Sequence, residues 1–216
     1  MTTLQTSGAA DPLPFVALPD FKAALSIADG DTSQDAVLMS MLLAASAAVQ
    51  SYIGRQITIA DWSDRIRIAP GDRRLSLVLG VQPLLSITSV LRDGQALPEP
   101  ADGWDFDPLC GILYPSDGPW WWPGRYSVTY RAGWVVPDMS DADDNALPVT
   151  LPADIRQAVL TAARAFYSAR DRDPLLKSES EQGVGSTSWA TPDAVSGGLP
   201  ADAAAMLSRY LPSGFS

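Results

Sequence analysis

Two periods divide the chain. From Gln34 to Ile53 apolar residues recur in adjacent pairs, Val37/Leu38, Met41/Leu42, Ala44/Ala45, Ala48/Val49 and Tyr52/Ile53. That spacing predicts a helix, and Gly54 predicts its stop. Acidic Asp35 suits its first turn, after Thr32 or Ser33 as cap. From Trp62 to Trp134 the period shortens to two. "RIRI" (65–68), "LSLVL" (75–79), "SITSVLR" (86–92) and "RYSVTYRAGW" (125–134) predict strands. In the last of these, Tyr126, Val128 and Tyr130 share one face, and Ser127, Thr129 and Arg131 the other. Asp93-Gly94 predicts a tight hairpin, and "WDFD" with "GILYP" a second one through Asp107–Cys110. The helical period returns at "LPADIRQAVLTAARAFYSARD", with Ile155, Val159, Ala162 or Ala163, and Phe166 as its core stripe.

Shorter signals fill the rest. Pro12, Pro14 and Pro19 make residues 1–19 an extended N-terminal arm. "PDFKAAL" reads as a short helix, and "LPADAAAMLSRYL" as a last one. Residues 137–150 are acidic and Pro-bounded, an exposed loop; residues 174–199 are Ser/Gly-rich and read as flexible. The expected fold is α+β. A helical bundle, residues 20–54 and 151–211, carries an inserted antiparallel β-hairpin region at 62–136 within one domain of 216 residues.

The long helix is apolar beyond one stripe. Met39 and Leu43 lie off it, and Ala44 to Ala48, Ala47 among them, permit close approach of another backbone. Either a second helix or a neighbouring subunit covers that extra face, and Met39, Leu43 and Ala47 are expected at a subunit interface. No apolar run reads as long enough to span a membrane, and the first fifteen residues lack a signal-peptide pattern.

Composition narrows the chemistry. The sequence contains no histidine, which removes Ser-His-Asp and Cys-His catalysis and the commonest transition-metal ligand. Cys110 alone cannot form an intramolecular disulfide and reads as a small buried hydrophobe. Asp105 and Asp107 would share a strand face, but as the wet side of "WDFD" rather than as an acid/base pair. Asp141, Asp143 and Asp144 lack the glycine and distal glutamate of a calcium loop. No catalytic residue, metal site or cofactor is expected. The net charge of −10 excludes a module that grips nucleic acid by its phosphates.

"GPWWWPGRYSVTYRAGW" holds three consecutive tryptophans between prolines. Alternation puts Trp120 and Trp122 on one face and Trp121 on the other, so all three cannot enter one small core. Trp122, leading into the strand, is expected inside. Trp120 or Trp121 is expected at a subunit contact. A carbohydrate-binding module is the alternative reading of these aromatics, although long helices and the missing signal peptide argue against it.

Five stretches together resemble one family: "DFKAALSIADGDTSQDAVLMSMLLAASAAVQSYIGRQI", "VQPLLSITSVLRDGQAL", "YSVTYRAGW", "LPADIRQAVLTAARAFYSARD" and "LPADAAAMLSRY". Their order is similar to that of the head–tail connector (adaptor, head-completion) proteins of tailed bacteriophages and gene-transfer particles. The resemblance covers most of residues 20–211. It implies a structural virion protein of the neck, assembled in the host bacterial cytoplasm. It implies a homo-oligomeric ring of twelve between portal protein and a tail-proximal stopper or terminator. DNA would pass through without sequence-specific binding, past candidate channel residues Asp141, Asp143 and Asp144. Trp189, Leu199, Leu207, Tyr210 and Leu211 would dock on the portal.

Overall fold

The computed structural model describes residues 1–6, 13–140, 145–170, 178–181, 185–188 and 198–211, with the backbone alone at 178–181 and 185–188. The chain divides into two compact units. Met1–Ala10 and Gln56–Trp134 form a β unit; Asp11–Arg55 and Val135–Ser216 form a helical unit.

The β unit is built on a five-stranded antiparallel sheet. Its strands are β1 (Thr2–Gln5), β2 (Ala60–Ile68), β4 (Leu84–Arg92), β5 (Gln95–Ala96) and β8 (Gly124–Ala132), in the order β1-β2-β8-β4-β5. A second antiparallel sheet orders β3 (Leu77–Val78), β7 (Ile112–Leu113) and β6 (Phe106–Asp107) as β3-β7-β6. The alternation in β2 and β8 works as the period-two pattern requires. Trp62, Ile66 and Ile68 on β2 and Tyr126, Val128, Tyr130 and Ala132 on β8 are buried in one cluster. Leu84, Ile87 and Val90 of β4 join it. At the β4–β5 turn, Asp93 (φ 51°) and Gly94 (φ 85°) both take positive φ, the type I′ geometry that matches strand twist.

The expected bundle with a hairpin insertion is not what forms. Among the described residues the fold is α+β, with four α-helices and eight strands in these two sheets, and the strands carry a core of their own. The stretch read as an extended N-terminal arm supplies strand β1, whose Thr3 pairs with Asp64. Gly80 makes room for it: a Cβ there would collide with the Thr3 side chain. No alternation marks four residues as a strand, so pairing with β2 decided it.

The helical unit contains α1 (Leu18–Ala24), α2 (Asp35–Ile53), α3 (Ala153–Ala169) and α4 (Ala201–Leu207), with α3 packed on both α2 and α4. Strand β9 (Ser178–Glu181) pairs antiparallel with β10 (Gly185–Ser188). Gly54 ends α2 in the left-handed conformation at φ 74°. The first turn of α2 begins after Gln34, which makes no side-chain cap bond; the expected cap Ser33 lies one residue earlier and donates its hydroxyl to Asp31. The buried side of α2 is Leu38, Leu42, Ala45, Ser46, Val49 and Ile53, with Ser46 Oγ accepting the Phe15 amide at 3.0 Å. In each apolar pair of the sequence, the second member is buried. Opposite it runs an exposed stripe of Val37, Ser40, Ala44, Ala47 and Ser51.

One composition reading needs correction here. At 19 residues, α2 is long and apolar enough to cross a membrane by length and composition alone. Its fully buried residues recur at three- and four-residue spacing against other helices of its unit, which is also how a core helix behaves.

Candidate functional site

The aromatic segment is placed by a short antiparallel bridge. The amides of Arg74 and Trp121 each donate to the other's carbonyl, at 3.2 and 2.7 Å. This register sets Arg73 opposite Trp122 and Leu75 opposite Trp120. Trp121 points into the β-unit core and is 3% exposed. Its indole Nε1 donates to the Leu113 carbonyl at 3.3 Å, and its ring meets Tyr126 edge-on with centroids 5.2 Å apart. The Tyr126 hydroxyl donates to the Trp122 carbonyl at 2.9 Å. Burial pushes that phenol up from its ordinary pKa.

Trp120 and Trp122 are 36% and 46% exposed. The Arg73 guanidinium lies 4.8 Å over the Trp122 ring, a cation–π contact. Leu75 is more exposed still. The result is a surface of two tryptophans, a leucine and an arginine, residue types that anchor protein contacts. The alternation expected from sequence holds, with Trp120 and Trp122 on one side and Trp121 on the other, but the inward side is the opposite one. Trp121, expected as a possible subunit contact, is core; Trp122, expected inside, is surface. Three identical residues carry no parity signal, so the Arg74 bridge and the Leu113–Tyr126 floor chose.

The other residues read from sequence fall as follows. Met39 and Leu43 are half-buried on α2 and Ala47 is exposed. Leu199 and Leu207 are fully buried within the helical unit. They are therefore not presented for docking, because α4 folds onto α3. The Tyr210 hydroxyl hydrogen-bonds both oxygens of Asp154, at 2.9 and 3.0 Å, and Arg209 pairs with the same carboxylate at 2.5 Å. These contacts fasten the chain after α4 to the first turn of α3. Leu211 is half-buried. Trp189, Asp141, Asp143 and Asp144 lie outside the described residues.

Cys110 is exposed rather than buried. It sits in a turn stapled by Asp107, whose Oδ1 accepts the amides of Leu109 and Cys110 at 2.9 and 3.0 Å. The Cys110 and Leu109 bonds hold the Asp107 carboxyl below its usual range, and the same carboxylate pushes the Cys110 thiol up. A protonated thiol and a spent carboxylate make neither a nucleophile nor a general acid.

Sequence reading passed over Asp64. It faces inward on β2 between Trp62 and Ile66 and is fully buried. Its Oδ2 accepts the Gly80 amide at 2.7 Å and the Tyr130 hydroxyl at 3.2 Å. Tyr130 in turn accepts the Val81 amide at 3.2 Å. Burial first, then the Asp64 charge, push the Tyr130 phenol far up. The signal was present as a carboxylate at an inward position of an alternating strand. The network ties residues 80–81 to two central strands.

Comparison with solved structures shows the same fold in two assemblies. A chain from the neck of an empty gene transfer agent particle, computed with C6 symmetry, aligns with 18% identity and a TM-score of 0.50. The alignment covers 100% of this chain and 98% of that one. A chain from the virion of a native gene transfer agent particle gives the same identity, coverage and TM-score. No protein-family model matches the chain, and no curated protein matches it.

Proposed function

We propose that this chain is a structural subunit of the neck of a phage-like particle, a head–tail connector that assembles as a ring. The observation that carries the reading is the end-to-end fold correspondence with a gene transfer agent neck chain, helical and β portions together. It agrees with the order of motifs in the sequence. A chemistry without histidine, with its one thiol held protonated, suits a scaffold rather than a catalyst.

Two surfaces serve subunit contacts in this reading. One is the Trp120/Trp122 face with Leu75 and Arg73. The other is the exposed side of α2, where Ala47 lies on a smooth stripe flanked by half-buried Met39 and Leu43. A ring of identical subunits needs two different surfaces on each, since its contacts are head-to-tail. The ring would sit between portal and tail, in the virion neck, with DNA passing through. Tyr210 and Leu211, half-buried after α4, and Trp189 remain the candidates for portal contact.

Purification followed by mass photometry and negative-stain imaging tests the proposal. Closed rings of six-fold or twelve-fold symmetry that bind a cognate portal are the expected result. A protein that stays monomeric at tens of micromolar and ignores the portal would sink it. Trp120→Ala with Trp122→Ala should weaken assembly and leave the melting temperature within a degree or two.

A further inference from the structure

The sheet face opposite the core carries an arginine cluster. Arg65 and Arg67 on β2 and Arg125 on β8 are all exposed, and Arg67 stands directly opposite Arg125 in the ladder. Like charges placed directly across a strand pair destabilise it. Here they rim an open groove of about 690 Å³ at the β4–β5 turn. Asp93 also lines the groove, but its carboxylate is engaged. Oδ1 accepts the Arg125 amide at 2.9 Å, and Oδ2 faces Arg92 Nε at 3.9 Å. Among the described residues, no side-chain carboxylate pairs with Arg65, Arg67 or Arg125. Three arginines against the one carboxylate of Asp93 leave this face with an excess of positive charge.

The charge is unevenly shared between the units. The β unit holds seven arginines against nine acidic residues, a net −2; the helical unit holds eight basic against sixteen acidic, a net −8. In the helical unit the turn between α1 and α2 places two carboxylates close together. Asp29 and Asp31 are exposed there. Asp31 Oδ1 accepts both the amide and the hydroxyl of Ser33, at 3.0 and 2.6 Å, which orders the turn and holds its carboxyl below the usual range. The Asp31 carboxylate is held in place by these bonds before any partner arrives, which lowers the ordering cost of binding.

We infer that the Arg65/Arg67/Arg125 face receives the Asp29–Asp31 turn of a second copy of this chain, forming an electrostatic subunit contact. The inference rests on the ring reading above. Guanidinium forks suit carboxylates bidentately, so two aspartates set between Arg67 and Arg125 would cancel their repulsion and fix the register of the contact. Nucleic acid is the weaker occupant, since a chain of net charge −10 repels a polyphosphate outside this one groove.

The test is charge exchange in the full-length protein, with assembly followed by mass photometry at low and high salt. Arg67→Glu/Arg125→Glu and, separately, Asp29→Arg/Asp31→Arg should each raise the concentration needed for assembly by roughly tenfold or more. Combining all four changes should bring it back to within about threefold of wild type. All four positions are exposed. The arginine pair should melt as wild type by circular dichroism, and Asp31→Arg, which gives up the two Ser33 bonds, should lower the melting midpoint by no more than a few degrees, so a folding failure is visible separately. If the arginine reversal leaves assembly untouched, or the combination fails to recover it, the contact is wrong while the ring stands. If a labelled DNA duplex binds wild type and not the arginine variant, with assembly unaltered, the face belongs to nucleic acid. A wild-type chain that never assembles overturns the ring reading and this contact together.

Discussion

Strand β8 and helix α2 each supply one face to a core, yet they disclose burial to different degrees. In β8, Tyr126, Val128, Tyr130 and Ala132 are buried while Arg125, Ser127, Thr129 and Arg131 face away. Polarity and burial coincide, so the polar residues mark the wet side. In α2 nearly every position is apolar or small, and of each adjacent pair only one member enters the core. Leu38 is fully buried while Val37 is 47% exposed. A pattern locates the dry face only when something polar outlines it. Where all faces are apolar, the packing partner makes the choice.

Trp120–Trp122 is that ambiguity at its sharpest, and it offers the largest test. Trp121→Ala removes a ring set against Leu113 and Tyr126 and should cost about 3–5 kcal/mol, read from the denaturant midpoint of the β unit. A cost similar to that of Trp122→Ala would mean that the two residues are not on opposite sides of the surface.

Next in size is the matching test on α2. Leu42→Ala, at a fully buried position, should cost about 2–5 kcal/mol, and Val37→Ala, its exposed counterpart, only a few tenths. Reversal of that order in a thermal melt would place the helix's buried face on the wrong side.

Tyr130→Phe probes the polar exception within the sheet's dry face. It removes the hydroxyl that links Asp64 to the Val81 amide and should cost about 1–3 kcal/mol at neutral pH, because buried partners lose their bond. It also has a pH signature. The folded-state value of Tyr130 is raised, so the protonated phenol stabilises the fold fully below the unfolded tyrosine value of about 10. That contribution is lost as pH climbs through the folded value. Tyr126 and Tyr210 are raised in the same direction and add to it. Alkaline titration should therefore show wild type losing stability above about pH 10, and Tyr130→Phe losing less. Equal alkaline slopes would mean that Tyr130 ionises freely in the fold.

The smallest effect sharpens the wet side of the comparison. Trp122→Ala should change monomer stability by less than about 1 kcal/mol, since a cation–π contact with Arg73 at an exposed site contributes roughly 0.5–1 kcal/mol. A larger loss in differential scanning fluorimetry would mean that the ring carries packing that its exposure hides.

Much of the site's chemistry was open to reading, and little of its geometry. The Asp93-Gly94 hairpin, the Gly54 stop and the inward side of β8 follow from local rules: positive φ at two turn positions, a left-handed cap, and strict alternation. The absence of histidine likewise needs no coordinates. Cys110 misled because "DPLCGIL" resembles a strand entry, whereas Asp107 captures two amides and turns the thiol outward. Leu199 and Leu207 looked like docking anchors because a short apolar helix after a Ser/Gly-rich stretch has no visible partner in sequence. The partner is α3, over thirty residues earlier.

By itself the sequence determined the four helices, the long strands β2, β4 and β8, the stop of α2 at Gly54, and that the chain is acidic and without histidine. These depend on interactions within a few residues, which periodicity and turn chemistry record. Only the tertiary structure decided that residues 2–5 join the sheet, that Trp121 rather than Trp122 is core, and that Arg67 meets Arg125 across a ladder. Each of these turns on register between segments that lie tens of residues apart in sequence. A shift of one position exchanges the two faces of a strand while leaving its local pattern intact.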